Sequence, residues 1–289
     1  MIISETYIAT KQEKPIRFQE YGVGIFKTIP TKSGIKKAIK KELIFIDGVL
    51  ASTSKYIYGG EKIELYQSEN ELTFERLKLD VEVLFEDDYL AIIYKPAGIL
   101  VSGNKFVTIT NALTQNLTKS NQTDAVKPQP IHRLDYPTSG VLLIGKTSAA
   151  LLKLNKLFEN KEIEKTYYAI TIGKMCSGGF INFKVDGKNA STEFKVILSA
   201  KSKRFTVLNL VELKPKTGRK HQLRKHLSSI GHQILGDKNY GKTHLVLNGK
   251  GLYLQAHELK FIHPFTKEEI IVSKDLPKKF TKIFNAKIQ

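Results

Sequence analysis

The stretch Ile131-His132-Arg133-Leu134-Asp135-Tyr136-Pro137-Thr138-Ser139-Gly140-Val141-Leu142-Leu143-Ile144-Gly145 places a carboxylate after a histidine and an arginine and before a Thr-Ser-Gly turn and an apolar strand. An acid held between basic residues at a strand edge is either a buried ion pair or an active-site carboxylate. Local sequence leaves both readings open. The same holds for Lys165-Thr166-Tyr167-Tyr168-Ala169, where strand alternation sets Lys165 and Tyr167 on one face and Thr166 and Tyr168 on the other. A tyrosine pair of this kind serves a core as readily as a site.

A third cluster, Thr217-Gly218-Arg219-Lys220-His221-Gln222-Leu223-Arg224-Lys225-His226-Leu227, runs from a loop into a helix. Leu223, Leu227 and Ile230 share one helix face, and His221, Arg224, Lys225 and Ser228 share the opposite one. That second face is expected to be solvated or to bind phosphate. Arg219 precedes the helix, from where it could swing toward Asp135.

Outward from these clusters, Val81–Glu86 and Leu90–Tyr94 read as two strands around Asp87-Asp88, with Lys95-Pro96-Ala97-Gly98 ending the second. Leu117–Gln129 is expected to be a polar loop. Ser148–Glu159 carries a helix-length apolar pattern, and Thr166–Ile172 and Phe205–Leu213 have the β-branched and aromatic content of strands. Nearer the N-terminus, Thr31–Lys41 reads as a helix capped by Ser33, with Ile35, Ala38 and Ile39 on one face and Lys36, Lys37, Lys40 and Lys41 on the other. Leu43–Ile46, the Asp47-Gly48 turn, Val49-Leu50 and Ile63–Leu65 then form a small sheet. The polar stretch Gln67–Arg76 has the character of a connector, which predicts domains at 1–70 and 71–289.

The 289 residues carry 46 Lys and Arg against 28 Asp and Glu, a net charge of +18. Such an excess favours a polyanionic partner, most often nucleic acid and less often an anionic membrane surface, with lysine-rich solubility as the plain alternative. Only six of the basic residues are arginines, and Arg133, Arg219 and Arg224 fall in the clusters above. No apolar run approaches the roughly 18 residues of a membrane span, and Met1–Lys14 has no apolar core of a signal peptide. The expectation is a cytoplasmic protein that meets no membrane, a monomer by default. One cysteine, Cys176, excludes an internal disulfide and a cysteine-based zinc cluster. The His-x-x-x-His spacing of a helical metal site and the glycine pattern of a nucleotide loop are both absent, so neither metal nor cofactor is expected.

The blocks KPAGILV, HRLDYPTSG, EKTYYA, TGRKHQLRKHLSSIGHQILGDKNYG and LYLQAHELKFIHPFTKE, in this order, resemble the RluA-type family of pseudouridine synthases. The segment from Thr31 to Leu65 resembles the alpha-L RNA-binding motif. The resemblance implies an α+β catalytic domain on a mixed, largely antiparallel sheet flanked by helices. It implies a cofactor-free isomerase that converts uridine to pseudouridine, in large-subunit ribosomal RNA more than transfer RNA. By position, Asp135 is implied as the catalytic aspartate, Tyr167 as the active-site tyrosine and Arg219 as the arginine that pairs with Asp135. Arg133 is implied as the residue that enters the RNA where uridine leaves, Leu223 as packing near the uracil, and Lys165 as the basic member of the tyrosine motif. Arg224 and the four lysines of the first helix would contact RNA. The alternatives are a non-enzymatic RNA-binding or ribosome-assembly factor on the same scaffold, and a glycosidase, for which no second acid is placed across the bond.

Overall fold

The computed structural model describes residues 2–67, 77–247 and 249–284. The expected boundary at residue 70 lies in 68–76, outside the described residues. Contacts divide the chain into two compact units, residues up to Arg76 with Gln122–Val126, and Leu77–Asn121 with Lys127 onward.

The N-terminal unit contains β1 (Ile2–Ile8), β2 (Ile16–Arg17), α1 (Phe18–Tyr21), α2 (Lys32–Lys40), β3 (Ile44–Ile46), β4 (Val49–Leu50), β5 (Tyr56–Ile57) and β6 (Lys62–Gln67). Strands β1, β6, β3 and β4 form one sheet in that order, and β2 pairs with β5. Helix α2 buries Ile35 and Ala38 in a small core with Phe18, Phe26, Ile44 and Ile63. Lys36, Lys37, Lys40 and Lys41 lie exposed on its other side. The cap is Thr31 rather than Ser33, because the Thr31 hydroxyl accepts the Gly34 N–H at 3.1 Å.

The second unit is built on one large sheet. Its elements are β7 (Val83–Glu86), β8 (Leu90–Lys95), α3 (Ile109–Asn116), β9 (Ala125–Pro130, of which Lys127–Pro130 belong to this unit), β10 (Ser139–Thr147), α4 (Ser148–Glu159), β11 (Glu164–Ile172), β12 (Gly178–Ile181), β13 (Thr192–Ser202), β14 (Thr206–Pro215), α5 (Gln222–Ser229), β15 (Leu254–Ile262), β16 (Glu269–Ser273) and α6 (Lys278–Phe284). The strand order is β12-β13-β14-β11-β15-β10-β8-β7, with β16 beside β15 and β9 beside β10. The pairings β12–β13, β13–β14, β14–β11, β11–β15, β15–β16, β10–β8 and β8–β7 are antiparallel, and that of β10 with β15 is parallel. This is the mixed, largely antiparallel α+β architecture that the family resemblance implies. The expected loop Leu117–Gln129 instead runs into β9, which carries Pro128 and Pro130 and pairs with β10 off the main strand path.

Two apolar clusters support the sheet. One joins β8 and β10 to α3 and α4, and the other joins β11 and β14 to α5 and α6; Tyr167 packs against both. The strand register then aligns the motifs. Lys95 pairs with Gly140, Gly140 with Ala256, Ala256 with Tyr167, and Tyr167 with Leu213, forming one row across five strands. Gly140 makes this row possible. Its φ is +133°, and a Cβ there would lie 2.1 Å from the Ala256 carbonyl oxygen, so any side chain would prise β10 from β15.

Candidate active site

Beside Tyr167 of this row lies a cavity of about 120 Å3 lined by Arg133, Asp135, Tyr167, Leu223 and Arg224, among others. Four segments that are distant in sequence build it: the turn before β10, the middle of β11, the end of β14 with the loop into α5, and the start of β15 at Leu254.

Asp135 sits on a turn closed by the Thr138 N–H donating to the Asp135 carbonyl at 3.0 Å. The turn is held from below by Lys95, whose side chain is fully buried. Its ammonium donates to the carbonyls of Pro96 and Thr138 at 2.8 Å each and of Tyr136 at 3.5 Å. The Gly98 N–H also donates to the Tyr136 carbonyl, at 2.8 Å. Burial pushes the Lys95 ammonium down to about 8, and the Asp135 charge opposes that shift. Sequence reasoning missed this role of Lys95. The available signal was a lysine closing the otherwise apolar run Leu90–Tyr94.

The Asp135 carboxylate, 26 % exposed, faces Arg224 Nη1 and His221 Nε2, each at 3.6 Å. Arg224 is 4 % exposed, so the expected solvated face of α5 is not solvated at this residue. Its Nε and Nη2 donate to the two carboxylate oxygens of Asp237 at 2.7 Å each. That bidentate grip fixes the guanidinium plane and leaves Nη1 toward Asp135. Burial disfavours both charges of the pair, but the mutual hydrogen bonds outweigh it, lowering the Asp237 carboxyl and raising Arg224. Asp237 further accepts the N–H groups of Asn239 and Tyr240.

The expected pairing of Arg219 with Asp135 is corrected by this geometry. Arg219 lines the cavity, but its Nε donates to the Asn189 carbonyl at 3.2 Å, and it is Arg224 that faces the carboxylate. The Arg219 backbone is held in the loop by Gln222, whose side-chain oxygen accepts the Arg219 N–H at 3.0 Å and the Thr217 hydroxyl at 2.7 Å. Gln222 in turn donates to the Ser191 carbonyl and the Thr192 hydroxyl.

His221 occupies the left-handed backbone region at φ +56°, immediately before α5, with Nδ1 2.7 Å from the Tyr240 hydroxyl. Burial pushes its imidazole below the usual value, and the neighbouring Arg224, Lys220 and Lys225 reinforce that against Asp135. At neutral pH His221 therefore meets Asp135 as a neutral ring rather than as a cation.

Tyr167 is held protonated. Burial, and then the charge of Asp135, raise its phenol well above the usual value. Its neighbour Tyr168 turns elsewhere, donating to Glu212 at 3.2 Å and packing edge-on against His257. Leu223 is buried and walls the cavity, and Arg133 lies exposed at its rim. Lys165 does not line this cavity. It lies with its ammonium 5.5 Å from the centre of the Phe158 ring, lining a second cavity. His132 is also structural, since burial and the Lys165 charge push it down to about 3 and its Nε2 accepts the Leu143 N–H at 3.2 Å.

A carboxylate, a buried arginine and a protonated tyrosine thus converge on one cavity of an α+β sheet protein. Residues 89–229 match the family described as RNA pseudouridylate synthase. The ribosomal large subunit pseudouridine synthase D of Buchnera aphidicola is 32 % identical over 86 % of this chain and 86 % of its own length. The tRNA pseudouridine synthase C of Vibrio vulnificus is 32 % identical over 71 % of this chain and 94 % of its own length. Among solved structures, human RNA pseudouridylate synthase domain containing 4 is 27 % identical, covers 71 % of this chain and 92 % of that one, and superimposes with a TM-score of 0.57. The chain belongs to the RNA pseudouridylate synthase family, a class of RNA isomerases.

Proposed function

We propose that the protein isomerises uridines of large-subunit ribosomal RNA to pseudouridine, with Asp135 as the acting carboxylate and no cofactor. The observation that carries this reading is the convergence of Asp135, Arg224 and Tyr167 on one cavity. The ribosomal assignment is supported by the longer match to the Buchnera relative, which extends over 86 % of the chain against 71 % for the tRNA-directed relative.

The reaction breaks the ribose bond to N1, turns the base within the site and joins the ribose to C5; C5 loses a proton and N1 gains one. It is redox-neutral, so side chains suffice. A carboxylate can attack the sugar, attack the base, or remove a sugar proton to open an elimination route, and all three start from Asp135 held in the same place. Arg224, fixed by Asp237, orients that carboxylate and balances its charge. Tyr167 offers a flat ring to the turning base, and its protonated hydroxyl can pass on the proton leaving C5 rather than take it as phenolate.

Uridine must first leave its stack, at roughly a few kcal/mol. Arg133, exposed at the rim, is suited to the vacated space, and Leu223 to the apolar side of the base. In the N-terminal unit, the exposed lysines Lys36, Lys37, Lys40 and Lys41 supply phosphate contacts independent of sequence. The test offers the enzyme large-subunit ribosomal RNA and transfer RNA, each from cells lacking this gene, and maps pseudouridine by carbodiimide adducts. New adduct stops in the ribosomal fraction are expected; stops confined to transfer RNA would overturn the assignment, and none in either would overturn the activity.

A further inference from the structure

The large sheet is split beside the active site. Pairing of β11 with β14 ends at Tyr167 and Leu213. Beyond that point β11 continues only along β15, through Thr166 with Glu258, Lys165 with Leu259 and Glu164 with Lys260. Strand β14 continues only along β13, through Lys214 with Glu193 and Pro215 with Thr192. Pro215 has no N–H to give to a neighbouring ladder, a local reason for the two strands to part there.

The parted strands enclose a cavity of about 180 Å3 lined by Lys161, Ile163, Glu164, Lys165, Thr166, Lys214, Pro215 and Lys216. Pro215 also lines the Asp135 cavity, so the two share a wall. Lys161 enters through its left-handed backbone, φ +63°, which ends α4 and turns the chain toward β11. Four lysines thus line the cavity beside one carboxylate residue, Glu164, which is exposed and whose charge also acts on Lys260. Outside the cavity, Lys214 has Glu212 at 3.6 Å and Lys216 has Glu193 at 3.1 Å, both pairs partly open to solvent.

Lys165 is the informative member. Burial lowers its ammonium, and among the described residues no carboxylate lies within ion-pair distance of it; its close partner is the Phe158 ring. A half-dehydrated ammonium without a counter-ion, in an open cavity with three further lysines, is arranged for an anion that arrives with the ligand.

We propose that this split seats a backbone phosphate of the RNA strand next to the uridine held over Asp135. The proposal rests on the RNA isomerase reading and adds where the flanking strand lies. Such a contact fixes register without reading sequence.

The test compares two double variants of the full chain, Lys214→Gln/Lys216→Gln and Lys201→Gln/Lys203→Gln. Both remove two charges, but the second pair lies at the far end of the β13–β14 hairpin, where Ser202 pairs with Thr206. Affinity for large-subunit ribosomal RNA transcribed in vitro is measured across a salt series. The cavity variant is expected to bind more weakly, with the slope of log affinity against log salt reduced by roughly 0.7–0.9 per lost phosphate contact. The distal variant is expected to retain the wild-type slope. Equal slopes for the two variants, whether unchanged or equally reduced, would overturn the phosphate site. Absence of isomerisation by a wild-type protein that still shows the difference would overturn the function reading instead.

Discussion

Arg224→Met should unfold more readily than any exposed-lysine variant, because it leaves Asp237 buried without its partner. Asp237 is 1 % exposed and receives two charge-assisted bonds of 2.7 Å from Arg224. Breaking a buried pair from one side costs about 3–5 kcal/mol, whereas removing both charges returns much of that. The double variant Arg224→Met/Asp237→Asn should therefore recover more than half of the lost stability in urea unfolding while remaining inactive, since Asp135 then keeps His221 but loses the guanidinium that faced it. The pH dependence follows from the same pair. The Asp237 carboxyl is held below its unfolded value of about 3.9. Its contribution is present above that value and is lost as pH falls through the lower folded one. The gap between wild type and Arg224→Met should accordingly narrow on acidification from pH 7 to below about 4. A single-variant loss under about 1 kcal/mol, or a gap that widens in acid, would refute the assignment of this pair as the clamp on the site.

Tyr167→Phe should keep RNA affinity, because the ring remains, and should slow single-turnover isomerisation by roughly 10²-fold or more if the hydroxyl relays the C5 proton; a rate within a few-fold of wild type would restrict Tyr167 to stacking. Gly140→Ala should destabilise by more than about 2 kcal/mol in urea, since its Cβ would meet the Ala256 backbone at 2.1 Å; a neutral result would contradict the close approach of β10 to β15. Burial of Lys95 pushes its ammonium down to about 8, below the unfolded value of about 10.4, so between those values the unfolded chain binds more protons and stability from this group rises with pH, by up to about 3 kcal/mol. Lys95→Met should abolish that rise, and a variant profile parallel to wild type from pH 7 to 10 would contradict it.

The sequence exposed the local pieces well. Ser148–Glu159 is a helix over the same bounds as its apolar pattern, and the strands flanking Asp87-Asp88 lie where alternation and turn chemistry place them. What it concealed depends on distant partners. Helical spacing assigns Arg224 to a polar face, but only the fold shows that Asp237, thirteen residues later, covers that face and removes it from water. Arg219 and Arg224 lie in one short loop and helix, and periodicity cannot tell which one the turn of His221 aims at Asp135. Lys95 likewise reads as the end of a strand until the register places it in the row of Gly140 and Tyr167. Prolines in β9 hid a strand, and two hydroxyls stand at the start of the first helix, Thr31 and Ser33, of which Thr31 makes the capping bond.

The most direct test of the central claim is tritium release from RNA labelled at uridine C5, taken from cells lacking this gene, with wild type compared with Asp135→Asn. Release by wild type alone, with RNA binding retained by both proteins, is the predicted result. Release by Asp135→Asn at the wild-type rate would contradict the role given to this carboxylate, and release by neither would contradict isomerisation itself.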